Sequence, residues 1–450
     1  MPTRAVLAAA VLAVVGIVLA AVLWPGGLID LDVYRVGARA LCAGRPLYEA
    51  RAPRTGLPFT YPPLAAALFT PLAYLPAAVA KAVWTLVELA ALLGLAAEAR
   101  RLAGHRVAGH RRAGDRPAGD RLAGARPAAL VTAALFLAAL PLEPVRSNLC
   151  LGQVNIVLAL AVVRDLTGRS GRLPAGLLTG IAAAVKLTPL IFLVQLALCR
   201  RPRTAAVGLA GFLTTTGAAA LLAPRDTWVF FSGRGFDASR VGGVGFLGNQ
   251  SLYGTLVRLA HGPAGVQDVY RPLALAVALA GLLLARQVAL GPKAERTSYE
   301  RTSYERTNCG RADGERADGE RADGEGAGPG RPFAGFAICA VTGLLVSPIS
   351  WSHHWIWIVV VLPWLAWGAD APRWGRRAAA AGWVFFAAAP IWWVPPGPPG
   401  ASAGLSEHGW QLVAVNSYVI AAVLFVAGLV IWPAVGARIP ERPGTVASAM

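Results

Sequence analysis

The sequence predicts an all-α polytopic membrane protein. Of its 450 residues, 56% are hydrophobic, whereas a soluble globular protein averages roughly 45–50% apolar residues. The apolar residues are gathered into many blocks of Ala, Leu and Val that short polar runs separate. The net charge of +18 comes from arginines that lie mostly in those connections. The charge therefore indicates a membrane topology, and we expect no nucleic-acid partner.

The blocks predict about ten spans in a single transmembrane domain over residues 1–435, with a cytoplasmic tail over residues 436–450. The predicted spans are 5–23, 79–97, 128–142, 149–163, 205–222, 273–290, 333–346, 355–367, 378–393 and 410–432. The first resembles a signal peptide, but no small-residue cleavage site follows it, which favours a retained helix. Residues 64–76 form a short run broken by Pro71, which indicates an interfacial or re-entrant helix rather than a span. Residues 100–126 and 291–331 are low-complexity repeats, which we expect to be cytoplasmic loops.

Segment 173–199 decides the orientation of the chain. It is apolar but interrupted by Lys186 and Pro189, and arginines flank both of its ends. Because positively charged segments remain in the cytoplasm, both ends are expected on the inside. A hairpin of two half-length helices, with the proline at its apex, satisfies this requirement. The N-terminus is then cytoplasmic, and the remaining polar loops face the outside of the inner (plasma) membrane. One long span would instead place residues 291–331 outside.

The first outer loop, residues 28–63, carries two acids, Asp30 and Asp32, directly after the first span. An acid at this place can act as a general base, coordinate a cation or cap a helix that starts at Leu31, and all three remain open for Asp30. Asp32 is less favoured, because residues i and i+2 point to different faces of a helix. Tyr34 and Tyr61 are candidates for stacking on sugar rings, although interfacial aromatics more often anchor a protein.

Two basic residues are candidate anion ligands. Lys186 lies in the middle of an apolar run, where an unpaired lysine costs about 2.5–3.5 kcal/mol on insertion scales. A phosphate is a suitable partner for its point charge, and the alternative is a lysine that reaches the outer interface. Arg146 lies in the turn EPVRSN, where it can bind the same anion or pair only with Glu143.

The other candidates are polar residues at the predicted outer surface. Amides are expected either to tie helices together or to contact a sugar. The pair that ends the SPISWSHH turn has no third ligand at a useful spacing, so no metal site is predicted. These candidate binding residues are Asn148, Gln153, Asn155, Asn249, Gln250, His353 and His354.

The chain has no Gly-rich nucleotide motif in a strand–helix context and no cytoplasmic domain that could bind a nucleotide. An ATP-driven pump is therefore excluded. A transferase that faces outward needs a donor already present in the membrane, and a lipid-phosphate sugar meets that need.

Six strings in this order resemble glycosyltransferase family 87, a GT-C family of polyprenol-phosphate-mannose-dependent mannosyltransferases from actinobacteria. They are DLDVYRVGARALCAGRPLY, FTYPPLAAALFTPLAYLP, NLCLGQVN, AAAVKLTPL, NQSLYG and SPISWSHHW. The resemblance implies a GT-C bundle, membrane lipids as surroundings, a polyprenyl-phosphate-mannose donor without a further cofactor, and a glycolipid or lipoglycan acceptor. It also implies an α-mannosyl product, often 1,2-linked, and a catalytic acid in the first outer loop, which falls on Asp30.

The implied mechanism is an inverting transfer in which Asp30 takes the proton of an acceptor hydroxyl. The leaving lipid phosphate is a stable anion, so cations are needed rather than a general acid. Lys186, Arg146 and a histidine of residues 347–354 could supply them. Two alternatives remain: a transporter or lipid-linked sugar flippase that uses Lys186 and Glu88, without a visible inverted repeat, and a transferase of another sugar such as arabinofuranose.

Overall fold

The computed structural model describes residues 2–23, 26–108, 118–291, 331–368, 371–394 and 405–436. Those residues are mostly helical, and they contain no strand apart from two isolated bridges, which confirms the all-α class. The helices are α1 (Pro2–Leu23), α2 (Ile29–Cys42), α3 (Pro63–Leu68), α4 (Thr70–Ala73), α5 (Ala77–Ala108), α6 (Ala118–Ala139), α7 (Glu143–Leu151), α8 (Asn155–Leu166), α9 (Leu177–Val185), α10 (Leu190–Leu198), α11 (Pro202–Leu222), α12 (Pro224–Phe231), α13 (Leu252–Leu259), α14 (Val266–Leu290), α15 (Pro332–Val346), α16 (Ile358–Trp367), α17 (Gly375–Ala388), α18 (Trp410–Val415) and α19 (Ser417–Gly436).

The described helices include several that can cross a membrane, so the chain is a multi-pass membrane protein. Four are long and apolar enough to span alone, within α1, α5, α11 and α14. A fifth results if α6 and α7, which are bent by 80° at their junction, form one broken span. The remaining predicted spans are shorter or interrupted helices, and the total of about ten spans stays a prediction.

Two predicted connections are helical. The turn EPVRSN is the beginning of α7, where Pro144 stands in the first turn and suits a helix start. The first repeat, predicted to be a loop over 100–126, is largely helix, because α5 continues to Ala108 and α6 begins at Ala118. Ala, Leu and Arg are strong helix formers, so a helix can continue beyond the apolar block. Residues 109–117, 292–330 and 437–450, which contain parts of both repeats and the tail, lie outside the described residues.

The half-helix hairpin predicted over residues 173–199 is present. Gly176 lies against Thr204 in the first turn of α11, and Gly180 lies against Gly208 one turn later, so α9 and α11 run in the same direction. Leu193 of α10 also contacts Gly208, and a short connection joins α10 to α11, so α10 runs in the opposite direction to α9 and packs against α11. Glycines allow this close backbone contact, as small residues do between membrane helices.

Basic residues gather at one end of the bundle. Glu98 near the end of α5 pairs with Arg101 at 2.6 Å and with Arg169, after α8, at 3.7 Å. Arg286 near the end of α14 donates to the Leu198 carbonyl at the end of α10. At this arginine-rich end, α5 is thus joined to the segment after α8, and α14 is joined to the end of α10.

Candidate functional site

A cavity of about 1380 Å³ opens between several polar segments of the chain. Its walls come from α2, the α7–α8 junction, the α9–α10 break, the glycine-rich strap at residues 233–248 and the turn at residues 347–354. Single ligand pockets usually measure roughly 300–1,000 Å³. The cavity therefore has room for more than one substrate.

Asp30 lies in the first turn of α2, with its side chain on the cavity wall. The helix begins at Ile29, two residues earlier than the cap hypothesis requires, because Leu28 takes the left-handed conformation (φ 59°) and its N–H donates to the Cys150 carbonyl. No side chain caps α2, so the capping role for Asp30 is wrong. Asp30 Oδ2 instead accepts a hydrogen bond of 2.7 Å from Gln153 Nε2.

Burial raises the pKa of Asp30 from 3.8 to about 6, while the Gln153 hydrogen bond and the Lys186 charge oppose this rise. The side chain is ionised at neutral pH but close to its titration range. A carboxylate in this condition is a suitable proton acceptor.

Gln153 joins Asp30 to the rest of the site. Its Oε1 accepts hydrogen bonds from Tyr34 at 3.2 Å, Tyr61 at 3.3 Å and Asn155 at 3.3 Å. Three donors on the oxygen orient the amide, so its NH₂ group faces the Asp30 carboxylate. Tyr34 is fully buried and contacts this hydrogen-bond network outside the cavity, whereas Tyr61 lines the cavity.

Lys186 stands in extended conformation where α9 ends (φ −152°, ψ 124°), and this break turns its side chain into the cavity. Its Nζ donates to Asn155 Oδ1 at 2.7 Å and lies 2.9 Å from His354 Nε2. It also lies 5.7 Å from the centre of the Tyr61 ring. In its ammonium form Lys186 can only donate, and His354 then accepts with Nε2. Burial and the Lys186 charge lower the pKa of His354, which keeps its ring neutral.

Seven of the predicted site residues do not line the cavity: Asp32, Tyr34, Arg146, Asn148, Asn155, Asn249 and Gln250. Asp32 points away from Asp30 along α2 and forms an ion pair of 3.7 Å with Arg54. Arg146 is exposed and donates to the Ala387 carbonyl, without the expected partner Glu143. Asn148 is buried and donates to the Pro144 and His353 carbonyls, so it supports the turn rather than contacting a substrate.

Asn249 and Gln250 are also structural. Both are fully buried and donate to backbone carbonyls, Asn249 to Val244 and Pro348, and Gln250 to Leu247 and Val415. Asn249 forms an antiparallel bridge with Trp351, which ties the strap to the 347–354 turn. Both histidines line the cavity, and His353 Nε2 has no hydrogen-bond partner in the part of the chain that the structure describes.

Two features of the site were missed at the level of sequence. The first is Arg240, which lies on the strap and lines the cavity. Its place in a glycine-rich outer loop was the sequence signal that could have identified it. Glu143 is buried in α7 and accepts hydrogen bonds from Ser352, Trp392 and Tyr418, which anchors the histidine turn to α7.

One further polar side chain bears on the transport alternative. Glu88, which the transport alternative would use, is fully buried in α5 and does not line the cavity. Neither of its carboxyl oxygens has a hydrogen-bond partner within the residue ranges that the structure describes. Among the described residues, no group of three His, Cys, Asp or Glu side chains could hold a metal ion.

Comparison with known proteins gives a family. The model of glycosyltransferase family 87 matches residues 59–300, a region that includes Tyr61, Gln153 and Lys186 but begins after Asp30. A polyprenol-phosphate-mannose-dependent alpha-(1-2)-phosphatidylinositol mannoside mannosyltransferase of Mycobacterium tuberculosis is 32% identical over 90% of this chain and 85% of its own. Its namesake in Mycolicibacterium smegmatis is 32% identical over 92% of this chain and 88% of its own.

A polyprenol-phosphate-mannose-dependent alpha-(1-2)-phosphatidylinositol pentamannoside mannosyltransferase of Mycobacterium tuberculosis is also 32% identical, over 81% of this chain and 72% of its own. No solved structure matches the chain. The family model covers more than half of the sequence, and the relatives align over most of their length as well. The chain therefore belongs to glycosyltransferase family 87.

Proposed function

We propose that this glycosyltransferase moves mannose from polyprenyl-phosphate-mannose to a glycolipid or lipoglycan acceptor, with inversion and in 1,2-linkage. One observation carries the proposal: the Asp30 carboxylate and the Lys186 ammonium face the same cavity, with Gln153 and Asn155 hydrogen-bonded between them. The printed names of the relatives support the donor, the linkage and a phosphatidylinositol mannoside as the class of acceptor.

Asp30 is the general base of the proposed reaction. Oδ2 is engaged by Gln153, and the other oxygen receives the proton of the acceptor hydroxyl. The hydroxyl oxygen forms a bond to the anomeric carbon of mannose while the bond from that carbon to the phosphate oxygen breaks. The electron pair of the broken bond leaves with the lipid phosphate. Attack opposite the phosphate inverts the anomeric centre.

Lys186 stabilises the leaving phosphate. A fixed cation is most effective where charge develops in the transition state. Its contacts with Asn155 and His354 hold Nζ in place and leave its third donor for a phosphate oxygen. His354 acts as a neutral partner that positions Lys186. The phosphate departs as an anion, so this scheme needs no general acid.

We place the cavity on the outer side of the inner membrane. The arginine-rich end and the N-terminus then lie on the cytoplasmic side, as the positive-inside rule requires. Cysteine labelling of intact cells tests this in a variant whose own cysteines are replaced. Ser239→Cys, on the strap, is expected to react with an impermeant reagent from outside. Ser170→Cys, between α8 and α9, is expected to react only after lysis. The opposite pattern would invert the topology.

The catalytic assignment is tested with Asp30→Asn, which keeps the size of the side chain and an oxygen that can accept from Gln153. General-base catalysis typically contributes 10²–10⁴-fold, so we expect transfer from polyprenyl-phosphate-mannose to fall by about that factor. Asp32→Asn is the matched control, two residues along α2 and outside the cavity, and should retain activity. Wild-type turnover by Asp30→Asn would show that Asp30 is not the base.

A further inference from the structure

A second cationic side chain faces the cavity from the strap. Arg240 ends a short 3₁₀ turn, Ala238–Arg240, and its guanidinium lies 5.5 Å from the centre of the Tyr48 ring. One terminal nitrogen donates to the Tyr48 carbonyl at 3.0 Å. Arg240 forms no ion pair with a carboxylate of the described residues. Asp237, the acid on the same turn, uses its Oδ1 to accept two hydrogen bonds from Ser239.

Arg240 and Lys186 stand at opposite ends of a row of aromatic rings. Tyr48, under Arg240, lies 6.2 Å from Phe59, and Phe59 lies 6.0 Å from Tyr61, measured between ring centres. Lys186 contacts the far end of this row, at Tyr61. The cavity therefore presents two separate cationic positions, and only that of Lys186 is connected to Asp30 by hydrogen bonds.

The proposed reaction assigns one of these positions. The leaving phosphate must lie beside the reacting carbon, and so must the base, which places the donor phosphate at Lys186. Arg240 is therefore not needed to bind the donor phosphate. A guanidinium suits an anion that it can bind through two parallel hydrogen bonds, and phosphate is one of the anions that arginine binds in this way.

We propose that Arg240 binds the phosphodiester of the acceptor, so that the enzyme selects an anionic phosphoglycolipid over a neutral glycoside. This inference rests on the proposed function. With its phosphate at the strap, the acceptor extends its sugar across the cavity, past Tyr61, towards Asp30. Arg240 thus determines acceptor specificity and takes no part in bond breaking.

Steady-state kinetics with two acceptors test this assignment. One acceptor is a phosphatidylinositol mannoside and the other is octyl α-mannoside, which has no phosphate; the donor is polyprenyl-phosphate-mannose for both. Arg240→Gln is compared with Arg240→Lys and with Arg234→Gln. Arg234 is the matched control, because it is an exposed arginine on the same strap that does not line the cavity. Size-exclusion profiles establish that each variant is folded.

We expect Arg240→Gln to raise the KM for the phosphatidylinositol mannoside about tenfold or more, a ratio equivalent to about 1.4 kcal/mol. The KM for the donor and the kinetics with octyl α-mannoside should stay within twofold of wild type. Arg240→Lys keeps the charge without the paired hydrogen bonds and should give an intermediate KM. Arg234→Gln should behave as wild type.

Two results would overturn the assignment. Equal losses with both acceptors would mean that Arg240 only anchors the strap to Tyr48, and a raised donor KM would mean that it binds the donor phosphate. If Arg240→Gln does not fold, the test depends on Arg240→Lys. A wild-type KM of Arg240→Lys for the anionic acceptor would refute the proposal. Absence of mannosyl transfer by the wild-type enzyme to either acceptor is a different outcome, which refutes the proposed function itself.

Discussion

Replacement of Asp30 by asparagine is expected to stabilise the protein while it inactivates the enzyme. In the folded protein, burial raises the pKa of Asp30 from 3.8 to about 6, with the Gln153 hydrogen bond and the Lys186 charge acting against burial. The ionised carboxylate that catalysis requires is therefore held in the folded state at a cost. Asparagine is uncharged and can still accept the hydrogen bond from Gln153 Nε2.

The size of the effect follows from the two pKa values. Because the folded-state pKa is the higher one, folding disfavours the ionised form. The penalty is absent below pH 3.8 and is complete above about pH 6. The difference corresponds to about 3 kcal/mol of unfolding free energy. Asp30 faces a cavity that admits water, which solvates part of the charge, so this value is an upper limit for the gain in Asp30→Asn.

Thermal unfolding of the purified protein in detergent measures this gain. Because membrane proteins of this size often unfold irreversibly, all variants are compared at one scan rate. We expect Asp30→Asn to unfold several degrees above wild type at pH 7.5 and at nearly the wild-type temperature at pH 4. Asp32→Asn, whose carboxylate pairs with Arg54 outside the cavity, should show no such gain at pH 7.5. A gain of equal size at both pH values, or a loss at pH 7.5, would refute the reasoning.

Two further substitutions test the site and the hairpin. Lys186→Met removes the cation proposed to stabilise the leaving phosphate, so kcat should fall by roughly 10²–10³ in the same transfer assay, and unchanged kcat would assign that role elsewhere. Gly180→Val should abolish or sharply reduce the yield of folded protein, because a side chain there would collide with the Gly208 carbonyl of α11. Gly217→Val, in the same helix pair but facing open space, should express normally; normal yield of both variants would contradict the close packing of α9 on α11.

The sequence was sufficient to predict what depends on neighbouring residues. Hydropathy alone indicates a helical multi-pass membrane protein. The polar interruption at Lys186, with arginines at both ends of its segment, was enough to predict a hairpin rather than a span. The position of Asp30, directly after the first span, marked it as a candidate acid. Each of these inferences uses the free energy of transfer into the membrane, which is close to a sum over local residues.

The tertiary structure decided which polar side chains face the cavity. Asn249 and Gln250 looked as suitable for binding a sugar as Gln153 did, yet the side-chain amide nitrogens of both donate to backbone carbonyls. Gln153 faces Asp30 because tyrosines from the first outer loop occupy its oxygen. Arg240 enters the site because the strap lies over the first outer loop. These contacts join residues that are distant in the chain, and hydrogen bonds depend on distance and direction in space, which hydropathy and spacing do not contain.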